Sequence, residues 1–206
     1  MTISQQNLYK RKYLITTIIA FKLFLLLIFS SEYSLHLFQP FVNTFLSKSI
    51  NPWQYYYENN LDINAFPYHA LMLIILFPFA YLAKLLSCNI FFKLPLLIFD
   101  INIFIILKKL FPNKIRNIFI YYFTNPIILY ATYIHAQLDI IPTALLMNAV
   151  YFLTYKRYCL SSLILGLAIA TKMHIVVTIP LILFYILMSE NIVTAIKYLL
   201  IALLVT

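Results

Sequence analysis

Acidic, basic and imidazole side chains lie at the ends of apolar segments of this chain, where together they could form a reaction centre. They are Glu32, the pair Glu58 and Asp62, the run 135–139 (His-Ala-Gln-Leu-Asp) and the run 172–174 (Lys-Met-His). Polar residues at the ends of transmembrane helices are costly to keep, and they mark candidate functional sites. A carboxylate in such a place can accept a proton from a hydroxyl, and a lysine can bind a phosphate.

Glu32 directly follows the first apolar segment, residues 13–31. A carboxylate held at a membrane interface beside a long loop can act as a general base. The alternative interpretation is a charged residue that only marks the end of the helix. The position of Glu32 in the sequence leaves both interpretations open.

His135 and Asp139 are four residues apart, so on a helical turn they share a face. This spacing could hold a metal ion, although two ligands alone indicate a metal site only weakly. Asp139 could instead cap the following helix, since Pro142 suits the first turn of a helix. The two roles of Asp139 are compatible with each other.

Lys172 ends an apolar segment that contains Gly166, and no other cation lies close to it in the sequence. An ammonium in this place could pair with a phosphate or pyrophosphate of a lipid-linked substrate. The alternative is a side chain that reaches up to ordinary lipid head groups.

Two charged residues, Lys22 and Asp100, fall in the middle of apolar segments. Unpaired charges there are costly, so we expect either a structural ion pair or two side chains that reach separately to the membrane interface, rather than a proton pathway. Trp53 and the tyrosines at 55–57 fit an aromatic belt at a membrane interface. The same aromatic side chains would also suit stacking on a sugar ring.

The composition predicts an integral membrane protein. Hydrophobic residues make up 64% of the 206 residues and charged residues only 10%, whereas a soluble domain carries about 25% charged residues. Long apolar runs recur along the whole chain, which indicates a polytopic helical protein. The net charge of +9 comes mostly from short segments between apolar runs. Such segments are typical of cytoplasmic loops, so we expect no nucleic-acid partner.

The apolar runs predict an all-α transmembrane bundle of about seven spans. An eighth apolar segment, 67–87, is ambiguous because Pro67 and Pro78 interrupt it. The cations at 10–12 place the N-terminus in the cytoplasm. The predicted spans are 13–31, 93–110, 117–134, 141–155, 158–171, 174–189 and 193–206.

The location of segment 67–87 decides the topology. If this segment crossed the membrane, six later cations would lie outside. If it stays in the outer leaflet as a re-entrant or in-plane helix, all six lie inside. The rule that cytoplasmic loops are positively charged favours the second arrangement. Residues 32–92 then form one large outer-face loop, with an amphipathic helix near 35–49, and the candidate site residues share the outer compartment. The six cations are Lys108, Lys109, Lys114, Arg116, Lys156 and Arg157.

Several motifs occur in the order found in one enzyme superfamily. An acid follows the first helix in 30–33 (Ser-Ser-Glu-Tyr), and a Pro-aromatic element follows at 66–68 (Phe-Pro-Tyr). The run 136–139 (Ala-Gln-Leu-Asp) is of the Gly-Gln-x-Asp type, and 166–172 has the form Gly-x-Ala-x-x-x-Lys. With the run FKLPLLIFD that ends at Asp100, this pattern resembles the GT-C superfamily of integral-membrane glycosyltransferases, in its mannosyltransferase-like branch.

The resemblance implies a reaction and roles for residues. Glu32 would deprotonate an acceptor hydroxyl, which attacks the anomeric carbon of a mannose-like hexose carried on polyprenyl phosphate, with inversion. Lys172 would bind the leaving phosphate, and Asp139 would position the acceptor, a glycan or a lipid. No metal or other cofactor is implied. The resemblance also implies substrate contacts for His135, Gln137, Tyr68 and His174.

The chain departs from the family pattern at several positions. Ala136 replaces the common Gly, Met173 and His174 replace Pro-Gln, and Glu32 replaces the more frequent Asp. Residues 1–206 are expected to form one transmembrane domain, the N-terminal half of a longer enzyme, with its site on the outer face. Two alternatives are a membrane protein that transports polysaccharide or lipid-linked sugar, and an inactive fragment.

Overall fold

The computed structural model describes residues 3–48 and 50–206, and this part of the chain is helical and contains no strand. The expected all-α architecture is therefore confirmed. The α-helices are α1 (Ile3–Ile28), α2 (Gln39–Lys48), α3 (Pro52–Glu58), α4 (Ala70–Leu85), α5 (Ile90–Leu110), α6 (Ile115–Ile118), α7 (Pro126–Leu129), α8 (Ile140–Thr154), α9 (Tyr158–Thr171), α10 (Ile179–Ser189) and α11 (Ile192–Val205). Three π-helices (Tyr33–Phe38, Phe119–Phe123, Tyr130–Ile134) and two 3₁₀-helices (Pro112–Lys114, Met173–Thr178) connect them.

The length of the helices bears on the expected number of spans. Among the described residues, α5 is long and apolar enough to cross a membrane alone, with 21 residues. Residues Tyr13–Ile28 and Tyr33–Lys48 form a pair bent by 65°, which would make a second span if it is counted as one. The other apolar helices, including α4 and α8 to α11, are shorter. Helix length therefore does not establish seven full spans.

The first apolar segment ends at Ile28, and a buried lysine from α5 closes that end. The Lys93 ammonium donates hydrogen bonds to the carbonyl oxygen of Leu26, to that of Phe29 at 2.8 Å and to Ser30 Oγ at 3.2 Å. The last carbonyl groups of a helix lack partners within it and need a donor. Lys93 supplies that donor and fixes where the chain turns towards Glu32. The predicted helix near 35–49 appears as the π-helix Tyr33–Phe38 followed by α2, and Ser49 lies outside the described residues.

The predicted span 117–134 is broken into four short helical pieces. The break follows from Asn125 and Pro126. Proline has no N–H to donate and disfavours helical backbone in the residue before it. Asn125 has extended backbone (φ −63°, ψ 123°), and its side chain accepts from the N–H of Ile127, so α7 begins afresh there.

The segment expected at 67–87 forms α4, and both ends of this helix are attached to one short stretch of chain. Before α4, the Tyr68 ring packs on Phe38, with 5.7 Å between ring centroids. After α4, the Asn89 side-chain oxygen accepts a hydrogen bond from Gln39 Nε2 at 2.9 Å. Phe38 and Gln39 are consecutive, so the residues just before and just after α4 contact the same short stretch of chain.

Helices α8, α9 and α11 pack closely, and α5 joins them through α8. Gly166, the single glycine of the chain, allows the close approach of α9 to α11. A Cβ atom added at Gly166 would lie 2.5 Å from the carbonyl oxygen of Ala202 and 2.8 Å from Cβ of Val205. This packed unit supports the turns that carry Asp139 and Lys172.

A candidate active site at one end of the helices

Asp139, Lys172 and Tyr68 form one polar cluster, although they are far apart in the sequence. The Lys172 ammonium donates to Asp139 Oδ1 at 2.5 Å, and the Tyr68 hydroxyl donates to the same oxygen at 3.1 Å. Lys172 Nζ also lies 4.9 Å from the centroid of the Tyr68 ring. Asp139 and Lys172 are both partly exposed, so a ligand could reach this ion pair.

Helix ends position each member of the cluster. Asp139 precedes α8, but its side chain makes no capping hydrogen bond. Lys172 has extended backbone (φ −158°, ψ 120°) between α9 and the next 3₁₀-helix. The N–H of His69 donates to the carbonyl of Thr171 at 3.1 Å, which brings the Tyr68 loop beside Lys172. The alternative capping role of Asp139 is thus not realised by its carboxylate, which binds Lys172 and Tyr68 instead.

Tyr68 is a hydrogen-bond donor in this cluster and not a base. Burial raises the pKa of the Tyr68 hydroxyl above its ordinary value, and the neighbouring Asp139 carboxylate raises it further. A raised phenol pKa means that the proton stays on the oxygen throughout the physiological range. Tyr68 therefore holds Asp139 in place as a neutral group.

A cavity of about 190 Å³ adjoins this cluster. It is smaller than the clefts of roughly 300–1,000 Å³ that accommodate drug-sized ligands, so it suits a ligand of about one ring. Its walls combine aromatic faces with amide, imidazole and ammonium groups. The lining residues are Tyr33, Leu37, Phe38, Asn64, Pro67, Tyr68, His135, Gln137 and Lys172.

One π-helix forms part of the cavity wall, and a second ends beside it. The π-helix Tyr33–Phe38 contributes Tyr33, Leu37 and Phe38, and the π-helix Tyr130–Ile134 ends next to His135. The rings of Tyr33 and His135 lie 5.0 Å apart. π-helical turns are rare and occur frequently at functional sites, because they redirect side chains within a helix.

Ala136 turns the chain between His135 and Gln137, with a positive φ of 56°. An L-residue with a side chain adopts this left-handed conformation at a cost, and glycine adopts it freely. The turn directs the chain from the π-helix towards α8 and so places Gln137 and Asp139.

The structure leaves Glu32 outside the cavity lining. Its side chain is 87% exposed and lies 3.3 Å from His36 Nε2, four residues further along the chain. Its neighbour Tyr33 does line the cavity. His174 is exposed and is also absent from the lining. Of the expected site residues, the structure thus brings together Asp139, Lys172, Tyr68, His135 and Gln137, but not Glu32 or His174.

The acids of the loop between α2 and α4 have local partners. Glu58 accepts from Gln54 Nε2 at 2.8 Å on the surface of α3. Asp62 accepts from the N–H of Asn64 at 2.9 Å, and this turn presents Asn64 to the cavity. The sequence analysis missed Asn64; its signal was the Asp-x-Asn spacing, which is typical of such turns.

The aromatic residues of the loop are of two kinds, packed and solvent-exposed. Trp53 and Tyr56 pack on Phe41, with centroids 5.1 and 4.8 Å away, and Tyr56 is buried. Tyr57 is exposed to solvent. None of these side chains lines the cavity beside Asp139. Most of this aromatic group therefore packs inside the loop and stabilises it.

Lys22 and Asp100 form the expected ion pair, with 2.5 Å between Nζ and Oδ2 and both side chains fully buried. Tyr133 donates to Asp100 Oδ2, and Tyr122 donates to Oδ1 at 2.7 Å. The Lys22 ammonium also lies 3.6 Å from the centroid of the Phe123 ring. Both carboxylate oxygens are thus occupied, which is the arrangement of a structural pair.

Among the described residues, no group of three or more His, Cys, Asp and Glu side chains is arranged to bind a metal ion. Comparison with known proteins identifies no relative: the chain matches no family model, no curated protein and no solved structure. The function is therefore argued from the geometry of the site.

Proposed function

We propose that this protein is a membrane glycosyltransferase that transfers a mannose-like hexose from a polyprenyl-phosphate carrier to an acceptor hydroxyl. The observation that carries the proposal is the Lys172–Asp139 ion pair beside a small cavity with aromatic walls. Lysine is a point charge suited to phosphate, and aromatic faces with amide groups suit a sugar ring. The chain would place these groups within reach of one ligand.

Donor binding would replace Asp139 with the donor phosphate as the ionic partner of Lys172. In the free protein, the ammonium is neutralised by Asp139. A donor phosphate would take over Lys172, because a phosphate offers more charge and more acceptor oxygens than one carboxylate. Asp139 would then keep its hydrogen bond from Tyr68 and become available to an acceptor hydroxyl.

Bond changes follow from that arrangement. The acceptor oxygen forms a bond to the anomeric carbon from the face opposite the phosphate, while the carbon–oxygen bond to the phosphate breaks and its electron pair leaves with polyprenyl phosphate. The hydroxyl proton goes to a carboxylate. Asp139 is the nearer candidate by its place beside the cavity, and Glu32 is the candidate by resemblance. Lys172 stabilises the charge that develops on the leaving phosphate.

The proposed site lies on the outer face of a polytopic membrane protein. Helix α4 supports this topology, because both of its ends are attached to Phe38 and Gln39. A helix of 16 residues attached in this way fits an in-plane or re-entrant segment of the outer leaflet. The cations at 108–116 and 156–157 then lie in the cytoplasm, as the charge rule favours.

The test is transfer of a radiolabelled hexose from polyprenyl phosphate, measured in membranes that contain the full chain. Lys172→Gln is expected to lower kcat/KM by a factor on the order of 100, the usual effect of losing one group that stabilises developing charge. Lys48→Gln is the matched control, since Lys48 is an exposed cation of the same loop region and packs on Tyr55. Wild-type transfer by Lys172→Gln would overturn the proposal.

Two further variants identify the base. If Asp139 accepts the proton, Asp139→Asn abolishes transfer and Glu32→Gln retains it; if Glu32 is the base, Glu32→Gln abolishes it. Glu58→Gln is the control for both, because Glu58 is a surface acid bound to Gln54. Retained transfer in both test variants would remove the carboxylate mechanism.

A further inference from the structure

A shallow groove lies at the C-terminal end of α5, away from the Asp139 cluster. It has a volume of about 300 Å³. Its walls are mainly apolar and include Leu107, Phe111, Ile118 and Tyr121, and Lys114 is at its edge. Tyr121 is 71% exposed and Phe111 is also exposed, so large apolar surfaces here have no partner from the described part of the chain. Exposed apolar grooves of this kind indicate a binding surface.

Lys114 lines this groove, and three more cations, Lys108, Lys109 and Arg116, are close to it in the sequence. Lys108 and Lys109 lie against other rings, those of Phe104 and Tyr151. Within residues 3–48 and 50–206, every ion pair involves other residues, so these four have no acidic partner there. Lys108 and Lys109 lie in the last turn of α5, where the helix carbonyls favour positive charge. Lys114 Nζ lies 6.0 Å from the Phe111 ring. The groove thus combines an apolar floor with a lining ammonium, that of Lys114, that has no acidic partner among the described residues.

The position of the groove along α5 matches the border of a membrane. Lys93, in the first turns of α5, binds the end of α1 near Glu32. Helix α5 has 21 residues and therefore extends over about 31 Å, close to the ~30 Å hydrocarbon core of a bilayer. Its C-terminal end then reaches the opposite head-group region, where Tyr121 and Phe111 fit an interfacial aromatic position.

We propose that this groove binds one anionic phospholipid. An acyl chain lies on the apolar floor beside Leu107 and Tyr121, and the phosphate is bound by Lys114, with Arg116 two residues further along adding positive charge nearby. Basic pockets between helices at this level of a membrane bind acidic head groups. A soluble phosphate would satisfy the cations but leave the apolar floor exposed, so the amphiphilic ligand fits both halves of the groove. This proposal does not depend on the glycosyltransferase reaction.

The experiment measures lipid binding to the detergent-solubilised full chain by native mass spectrometry. The probes are palmitoyl-oleoyl phosphatidylglycerol and the matched phosphatidylcholine. We expect tighter binding of phosphatidylglycerol, and a loss of roughly fivefold per cation in the double variant Lys114→Gln with Arg116→Gln, since each cation near an acidic lipid contributes about 1 kcal/mol. Tyr121→Asn, which changes the apolar wall, should weaken both lipids at least threefold.

The control double variant is Arg157→Gln with Lys197→Gln. It removes the same charge from two exposed cations, and neither residue lines the groove. Phosphatidylglycerol affinity should stay at the wild-type value in this control. An equal loss in both double variants would mean general attraction to a basic surface, and equal binding of the two lipids would mean no head-group site. Competition by inorganic phosphate at millimolar concentration would indicate a free-anion site; each of these three outcomes overturns the proposal.

Discussion

At the scale of single residues, the candidate site depends on side chains whose partners are far away in the sequence. Lys172 and Asp139 are 33 positions apart and Tyr68 and Asp139 are 71 apart. The sequence named all three as site candidates: Asp139 and Lys172 because polar groups at helix ends are conspicuous in an apolar chain, and Tyr68 through the resemblance. It could not give their pairing, since spacing defines distance only within one helix. The sequence likewise does not show that the Glu32 side chain lies outside the cavity lining.

Ala136 offers a residue-scale prediction. Its φ of 56° and its burial mean that Ala136→Gly is tolerated, because the backbone gain offsets the lost methyl contact. Ala136→Val should lower the free energy of unfolding by about 2 kcal/mol or more, since a β-branched residue is disfavoured at positive φ and adds volume in a packed place. Thermal unfolding of both variants in detergent measures the difference. Equal stability of the two would show that this turn does not have the left-handed conformation.

Lys22 and Asp100 give a second prediction at this scale. Lys22→Met should destabilise the protein by about 3–5 kcal/mol, because a buried carboxylate loses its cation. The double variant Lys22→Met with Asp100→Asn removes both charges and should recover part of this loss. Strictly additive effects in denaturant unfolding would mean that the two residues do not interact.

At the scale of elements, the sequence predicted continuous helices well and interrupted ones poorly. The predicted segment 158–171 coincides with α9, since charged residues bound it on both sides. The predicted span 117–134 is broken because Pro126 removes a donor and Asn125 caps a new helix. Hydropathy averages over such local chemistry, and the π-helix Tyr33–Phe38, which contributes to the cavity wall, has no hydropathy signal of its own.

Gly166 carries the prediction at the scale of helix packing. Gly166→Ala should cost about 1–3 kcal/mol, because the added methyl meets the backbone of α11, which cannot move aside as a side chain can. Leu160→Ala is the control on the same helix, at a position where the side chain is exposed. The readout is the thermal unfolding temperature in detergent. A neutral Gly166→Ala variant would contradict the close approach of α9 and α11.

At the scale of the whole molecule, the proposed orientation in the membrane has a direct test. The chain has two native cysteines, Cys88 and Cys159, which are first replaced by serine. In this background, Pro112→Cys should be labelled by an impermeant maleimide only after cells are permeabilised, and Tyr57→Cys should be labelled in intact cells. Tyr57 is the control because it is exposed and lies in the segment that the proposal places outside. Labelling of position 112 from outside would reverse the proposed topology.

The Lys172–Asp139 ion pair has a consequence for how the site responds to the surrounding electrolyte. With its ammonium already matched by a carboxylate, the empty site presents little net field to dissolved ions. A phosphate ligand of the proposed kind would therefore approach a site with little net charge. Its binding should depend on ionic strength less than phosphate binding to a lysine that has no carboxylate partner, because long-range attraction, which salt screens, contributes little here.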